Sequence, residues 1–191
     1  MLGCYDFCGH YDWTFRWLRL EGGMDLLRRY WVAAISEDAQ QHAAEQIVPR
    51  GVSGMDAYWG QTLAEEAPAG GYTGRIVGDR YVVEMTACPS RGFLLRNGLD
   101  FSGDYCDHCL GWIGPLMKKA GYTVHHAHNH QGQCYWEFVP AAQAQPPNPE
   151  IEALKKTLLA AWQAAGQTID RFEQTEYLRD DPRRLCADSN Q

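Results

Sequence analysis

Positive charge is scarce in this sequence. Its 191 residues carry 17 Lys and Arg against 24 Asp and Glu, for a net charge of −7. Nucleic-acid backbones and anionic membrane surfaces both attract clustered Lys and Arg. The composition therefore predicts neither nucleic acid nor a membrane as a partner. A small-molecule substrate remains the favoured partner, and a homo-oligomer stays open.

Long apolar runs are also missing. No stretch approaches the roughly 18 apolar residues of a membrane-spanning helix. The start, Met1-Leu2-Gly3-Cys4, lacks the basic and then apolar pattern of a signal peptide. We therefore expect a cytoplasmic protein. Because that compartment keeps thiols reduced, the odd number of seven cysteines indicates catalytic, metal-binding or free thiols rather than a disulfide framework.

Potential ligands and nucleophiles are instead concentrated between Cys88 and Cys134. These 47 residues hold four of the seven cysteines and five of the seven histidines. Core packing does not require such a density, so we interpret this stretch as the functional site. Cys4, Cys8 and Cys186 lie far from it in sequence and are expected to be bystanders, with Cys4 and Cys8 a less specific metal candidate.

Periodicity predicts an α+β fold, with a mostly antiparallel sheet of about four strands backed by helices on one side and a C-terminal helix. Gly78-Asp79 indicates a hairpin, Gly121 a helix end and Ser53 a helix N-cap. The predicted helices are 24–47, 53–66, 93–97 and 104–120, and the predicted strands are 72–77, 80–87, 122–130 and 134–139.

The domain organisation follows from a change in composition after residue 139. Residues 1–139 are predicted to form a single catalytic or binding domain. A Pro- and Ala-rich linker follows at 140–149, and then an amphipathic helix over 150–179, for which Asn148 is the expected N-cap. The tail, 180–191, has the composition of a disordered segment.

Strand alternation predicts which site residues share a face. On the strand 80–87, continued regular alternation would put Glu84 on the same side as Cys88. His126, His128 and His130 share a face of the strand 122–130. A three-residue loop at 130–132 would place Cys134 with these histidines, whereas a two-residue loop would place it opposite. The sequence leaves that register open.

Cys106 and Cys109 are predicted to lie in the first turn of a helix. Three residues apart, they share one side of that turn. The positive end of the helix dipole lowers the pKa of a nearby thiol. This placement favours thiolates.

Three segments together resemble the L-2-amino-thiazoline-4-carboxylic acid hydrolase family. They are Cys88-Pro89 at a strand end, Tyr105-Cys106-Asp107-His108-Cys109 at a helix start, and Gly132-Gln133-Cys134-Tyr135-Trp136 in the last hairpin. The resemblance covers roughly residues 24–139, and a more distant one is to vinyl-reductase-type ligand-binding domains. It implies a hydrolase that opens a small ring containing sulfur and nitrogen. The histidine-rich strand 125–130 and the second cysteine of the pair Cys106 and Cys109 depart from that pattern.

A cysteine-dependent hydrolase is the first of three functional hypotheses. A thiolate would attack the carbon of a C=N or carbonyl group while a histidine moves protons. Cys88 is the preferred nucleophile, followed by Cys109 and Cys106, with His108 or His126 as base and Glu84 or Asp107 orienting it. The residues expected to contact the substrate are Tyr105, Trp112, His128 and Trp136.

The second hypothesis is a metalloprotein. Cys88, Cys106 or Cys109, and Cys134 would bind zinc or an iron–sulfur cluster, with His126, His128 or His130 as a further ligand. Zinc would activate water, and a cluster on three cysteines would leave one iron open to a substrate. The third hypothesis is a sensor of a small molecule or metal that performs no chemistry.

Overall fold

The computed structural model describes residues 2–103, 105–141 and 146–173, with the backbone alone described for residues 2–6 and 173. Helix α1 spans Leu2–Tyr30 and is broken at Gly22 and Gly23, whose backbone angles are not helical. A π-helical segment, Trp31–Ala39, continues it, and its wide turn is closed by a bond from the Gln40 N–H to the Ile35 carbonyl, 2.8 Å. The predicted helix 24–47 is therefore helical along its length but changes type twice.

Helices α2 and α3 span Gln41–Ile47 and Val52–Glu66. The expected N-cap at Ser53 is wrong. Gly51 occupies that position with φ +56°, and Ser53 Oγ instead donates to the Arg50 carbonyl, 2.9 Å. Glycine adopts this left-handed conformation without the steric cost of a Cβ, which lets the chain reverse between the two helices.

The sheet has five strands, and every neighbouring pair is antiparallel. The α+β prediction is confirmed, with one strand more than expected. One long connection between two strands carries both helix α4, Arg91–Arg96, and helix α5, Asp107–Ala120. Helix α5 ends at Gly121 in the left-handed conformation, as predicted. The strands are β1 Tyr72–Val77, β2 Arg80–Met85, β3 Tyr122–His128, β4 Cys134–Pro140 and β5 Asp170–Glu173, in the order β1-β2-β4-β3-β5.

Both faces of the sheet are covered, not one as predicted. One face, here called the cavity face, packs on α2, α3 and α5 through Tyr81, Val83, Val124, Trp136 and Phe138. The opposite face, here called the α6 face, packs Val82, Ala127 and Tyr135 on helix α6, Pro149–Ala164. A third cluster joins α1 and the π-helical segment to α4 and Tyr105.

The predicted C-terminal helix 150–179 is too long. Helix α6 begins as expected, with Asn148 Oδ1 accepting the N–H groups of Glu150 and Ile151, but it ends at Ala164. Gly166 has φ +70° and turns the chain into β5, which pairs with β3. The predicted tail 180–191 lies outside the described residues, as do residues 142–145 of the predicted linker.

Among the described helices, none has the length and apolar character needed to cross a membrane.

Candidate functional site

A cavity of about 240 Å³ lies between the cavity face and the helices α1, α3 and α5. Its wall is largely apolar and includes Trp59, Trp112, Trp136 and Phe138. The groups capable of chemistry enter this wall from separate parts of the chain. The cavity-lining residues with sulfur or imidazole side chains are Cys88, Cys106, Cys109, Cys134, His108, His126, His128 and His130.

The register of the β3–β4 hairpin decides which strand residues reach the cavity. His128 pairs with Cys134, His126 pairs with Trp136, and the Asn129 N–H bonds the Gln133 carbonyl, 3.3 Å. The loop therefore contains three residues, 130–132. Directly opposed residues of antiparallel strands point to the same face, so Cys134 lies with the histidines.

Cys88 follows β2 in an irregular turn before α4. Its sulfur accepts the Ser90 N–H at 3.4 Å, and its own N–H bonds the Gly132 carbonyl at 2.8 Å. Burial raises the pKa of the Cys88 thiol, while the N–H groups of Gly92, Ser90 and Arg91 act in the opposite direction. Cys88 is thus held against the tip of the β3–β4 hairpin with N–H donors around its sulfur.

Cys106 is paired with a buried arginine. The Arg91 guanidinium donates to Cys106 Sγ at 3.6 Å and lies 4.4 Å over the Phe101 ring. No carboxylate in the described part of the chain lies within ion-pair distance of Arg91, and its Nε has no hydrogen-bond partner. A buried charge without a counter-ion is unfavourable. Among the described residues, the sulfur of Cys106 is thus the group bonded to Arg91 that could carry negative charge as a thiolate.

Cys134 and Cys109 have different partners. The Trp136 indole N–H donates to Cys134 Sγ at 3.2 Å. Cys109 Sγ lies 3.7 Å from His108 Nε2, and His108 Nδ1 donates to the Tyr105 carbonyl. Because Nδ1 carries the proton, Nε2 presents a lone pair to Cys109. Three sulfurs thus accept N–H bonds, whereas the fourth faces a proton acceptor.

The four thiols lie close enough to affect one another. Burial raises the pKa of Cys109 and Cys134 well above 9, and the nearby thiols raise both further. Burial also raises the pKa of Cys106 to about 12, against the opposing effect of Arg91. The expectation that the helix start makes Cys106 and Cys109 thiolates is wrong for free thiols, because burial outweighs the helix dipole.

The spacing of the sulfurs bears on the type of metal. Among the described residues, no three cysteine sulfurs all lie within 4.8 Å of one another. A tetrahedral zinc site with bonds of 2.3 Å holds its sulfurs about 3.8 Å apart. A cluster binds each thiolate through a different iron, so its sulfurs lie further apart. The sulfurs of the described cysteines are therefore not already placed as three ligands of one zinc ion.

The histidines of β3 form a second group in the wall. His126 stacks on Trp136 with ring centroids 3.8 Å apart, and the rings of His126, His128 and Phe172 pack together with centroids 5.4 to 6.0 Å apart. His130 Nε2 bonds Asp170 Oδ2 at 2.9 Å. Burial lowers the pKa of His128 well below its usual value, and His126 and His130 lower it further, so His128 is neutral at pH 7.

Three predicted site residues do not line the cavity: Glu84, Tyr105 and Asp107, of which Asp107 is buried in the first turn of α5. Glu84 lies on the α6 face and forms an ion pair with Arg75 at 3.4 Å. The prediction that Glu84 and Cys88 lie on the same side is therefore wrong. The reason is that β2 ends at Met85, and regular alternation stops before Cys88. Tyr105 is buried behind the wall, where its hydroxyl bonds Ser90 Oγ at 2.6 Å. Trp112 and Trp136 do line the cavity.

Sequence reasoning missed Arg91, Asp170 and the position of Cys8. Arg91 has no neighbouring sequence pattern that marks it. Asp170 lies within the stretch assigned to a helix, although Gly166 and the β-branched residues Thr168 and Ile169 are signals for a helix end and a strand. Cys8, expected to be a bystander, is buried and donates to Ser90 Oγ at 3.5 Å, behind Cys88. The Cys4 side chain and Cys186 lie outside what the structure describes.

Comparisons with protein-family models, with curated proteins and with solved structures give no match. The resemblance to the L-2-amino-thiazoline-4-carboxylic acid hydrolase family therefore stays a prediction, and the function must be argued from the site alone.

Proposed function

We propose that Cys88, Cys106 and Cys134 hold an iron–sulfur cluster in the wall of the cavity, and that the protein is an enzyme acting there on a small molecule. The observation that carries the proposal is the convergence of these three sulfurs, each with an N–H donor, from three separate segments of the chain. N–H bonds to sulfur stabilise a thiolate and tune the potential of a cluster.

The electrostatics support bound rather than free thiolates. Buried free thiols with raised pKa values are protonated at pH 7, which leaves Arg91 as a buried cation facing a neutral sulfur. Metal binding removes the thiol protons and supplies the missing negative charge. The N–H groups of Arg91 and Trp136 then face charged acceptors.

The remaining groups indicate how the enzyme would act. Three thiolates leave one iron of a four-iron cluster open, and an open iron acts as a Lewis acid. Cys109 and the neutral His108 lie in the same wall and form a pair that can take up and return a proton. The aromatic wall suits a small planar substrate. Hydrolysis at a C=N or C–N bond of a compound containing sulfur and nitrogen is the reaction we propose.

The test is elemental analysis and a UV–visible spectrum of protein purified without oxygen. We expect iron and acid-labile sulfide in stoichiometric amounts and a broad absorbance at about 400 nm from thiolate-bound clusters. Metal-free protein, or zinc in place of iron, would contradict the cluster. The proposal retains a cytoplasmic location, since a reducing compartment keeps these thiols available.

A metal-free cysteine hydrolase is a second candidate, favoured by the distance of 3.7 Å between Cys109 Sγ and His108 Nε2. The thiol would give its proton to Nε2 while sulfur bonds to the substrate carbon. The departing nitrogen would take that proton, and water would then displace the sulfur. This makes Cys109, rather than Cys88, the nucleophile. Alkylation of one thiol should then abolish turnover and chelators should not, the reverse of the result expected for the cluster enzyme.

A further inference from the structure

We propose that His128, His130 and Asp170 form a second metal site in this protein, which binds one divalent transition-metal ion. These residues make up the one set of three His, Cys, Asp or Glu donors in the described part of the chain whose atoms all lie within 4.8 Å of one another. No cysteine belongs to the set. The site therefore uses residues other than those of the proposed cluster.

The three donors come from two paired strands and the hairpin loop. His128 and Asp170 are directly opposed on β3 and β5, and His130 begins the loop after β3. Asp170 Oδ2 lies 2.9 Å from His130 Nε2 and 3.9 Å from His128 Nε2. Ligands bound to one metal at about 2.1 Å lie at similar separations from each other.

His128 supplies an independent reason to expect a ligand. Its side chain is 3% exposed, and neither ring nitrogen has a hydrogen-bond partner among the residues that the structure describes. Buried polar atoms are nearly always satisfied, and an unsatisfied one calls for an explanation such as an ion. Its ring is also fixed by stacking on Phe172, with centroids 5.7 Å apart. A metal at Nε2 would satisfy this histidine without moving it.

The backbone conformation of His130 also supports a metal site. Among the described residues it is the one non-glycine residue in the left-handed region, with φ +59°. Such a conformation is strained for a residue with a Cβ and tends to be retained at functional positions. Here it turns the chain after β3 so that the imidazole meets Asp170. The strain is therefore located at a donor.

The buried Asn129 locks the loop and the β5 entry together. Its amide donates to Gln133 Oε1 at 2.6 Å and to Gln167 Oε1 at 2.7 Å, and its Oδ1 accepts the Gln131 N–H at 2.9 Å. Gln167 lies three residues before Asp170. These bonds fix the His130 loop against the segment that carries the carboxylate, which is how supporting residues hold metal ligands in position.

The donor set indicates the class of ion. Two imidazoles and one carboxylate suit Fe²⁺, Mn²⁺, Co²⁺ or Zn²⁺, whereas Mg²⁺ prefers oxygen ligands alone. Three protein ligands leave coordination positions open, and His128 and His130 both line the cavity. The ion would then meet the same small molecule as the cluster, so the inference goes beyond the proposed function without depending on it.

Manganese is the best probe because thiolates bind this hard ion poorly, which separates the site from the cysteines. Mn²⁺ is titrated into the purified chain while the electron paramagnetic resonance signal of free Mn²⁺ is measured. We expect one bound Mn²⁺ per chain, not displaced by a roughly tenfold excess of Mg²⁺. Asp170→Asn and His130→Asn should each weaken binding roughly tenfold or more. Asn at position 130 tolerates the left-handed conformation, so this variant should stay folded.

The matched control is Asp79→Asn, which removes a carboxylate from the exposed β1–β2 turn and should leave Mn²⁺ binding unchanged. Absorbance at about 400 nm in the same samples reports the cluster. Equal binding by the wild type, Asp170→Asn and His130→Asn would overturn the inference, as would a wild-type dissociation constant above about 1 mM. A sample that lacks iron and sulfide but binds Mn²⁺ through Asp170 would overturn the cluster and support this site.

Discussion

The α6 face and the cavity side of the sheet differ in whether their buried charged and polar groups have partners. On the α6 face, Arg80 and Glu137 are both buried and form an ion pair of 2.9 Å, with Lys155 at 4.0 Å from the same carboxylate. On the cavity side, within the described residues, Arg91 of α4 meets no carboxylate and His128 of β3 has no hydrogen bond. The buried charges Arg80 and Glu137 of the α6 face are thus paired with each other. The cavity side carries ligand atoms and a charge that a bound group would satisfy.

This difference separates structural from functional burial of polar groups. Completed pairs on the α6 face position α6 and the segment before it, since Arg80 also donates to the Pro146 carbonyl at 2.6 Å. The polar groups that lack partners lie beside an apolar cavity large enough for a small molecule. The following experiments test whether the contrast has this meaning.

Replacing a cluster ligand should produce the largest effect. We expect Cys134→Ser to lose most of the bound iron and the absorbance at about 400 nm, because a serine hydroxyl replaces a thiolate ligand. Cys109→Ser is the matched control, since this sulfur faces His108 rather than an N–H donor. It should keep the cluster. Equal iron content in Cys134→Ser and wild type would remove Cys134 from the site, and loss of iron in Cys109→Ser would make Cys109 a ligand.

Breaking the completed pair on the α6 face should destabilise the fold. Glu137→Gln leaves the Arg80 guanidinium buried without its carboxylate, which we expect to lower the free energy of unfolding by about 3 kcal/mol. Urea unfolding of metal-free protein measures this. The double variant Arg80→Met, Glu137→Leu should recover most of the loss. A single variant as stable as wild type would show that the pair is not structural.

Removing the buried charge of Arg91, on α4 beside the cavity, should have the opposite effect on stability. In metal-free protein Arg91→Met removes an unpaired buried charge, so the free energy of unfolding should stay unchanged or rise by about 1 kcal/mol. With the cluster bound, the same variant should lose iron more readily because the counter-charge is gone. A loss of stability in the metal-free form comparable to that of Glu137→Gln would erase the contrast between the faces.

The smallest effect sharpens the role of a single N–H group. Trp136→Phe removes the donor to Cys134 while keeping a ring that stacks on His126. A hydrogen bond worth about 1 kcal/mol corresponds to a shift of roughly 40 mV for one electron, here toward a more negative cluster potential. Trp112→Phe, which removes an indole from the same cavity without an N–H bond to sulfur, should leave the potential unchanged in a redox titration.

Local sequence signals predicted much of the fold. Gly78-Asp79, Gly121 and Asn148 marked a hairpin, a helix end and a helix start that the structure confirms. These predictions succeed because each depends on the backbone preferences of a few adjacent residues. The helix assigned to 150–179 fails because β5 is stabilised by pairing with β3, a partner some 45 residues away whose effect no local pattern contains.

For the candidate site, too, some features were predictable from the sequence and others were not. The density of Cys and His between residues 88 and 134 was visible in the sequence, and the alternation of β3 put His126 and His128 on one face. The predicted strand 122–130 is too long, because β3 ends at His128 and His130 reaches the cavity from the loop. Glu84 was misplaced because alternation was extended past the end of β2. Arg91 and Asp170 could not be assigned to the site from the sequence. No local sequence motif marks either residue as a partner of the cysteines or histidines, and Asp170 reaches the site only through the pairing of β5 with β3.

The sequence by itself determined the chemical types available to this protein, since residue identity sets which atoms can bind a metal or carry a proton. It also determined the α+β class through its periodicities. The tertiary structure alone decided which of those atoms meet. The three-residue loop at 130–132 placed Cys134 with the histidines, the turn at Gly166 brought Asp170 to His130, and burial decided the protonation of the thiols. Register, strand pairing and desolvation depend on contacts between distant segments, and for that reason they cannot be obtained from the order of residues alone.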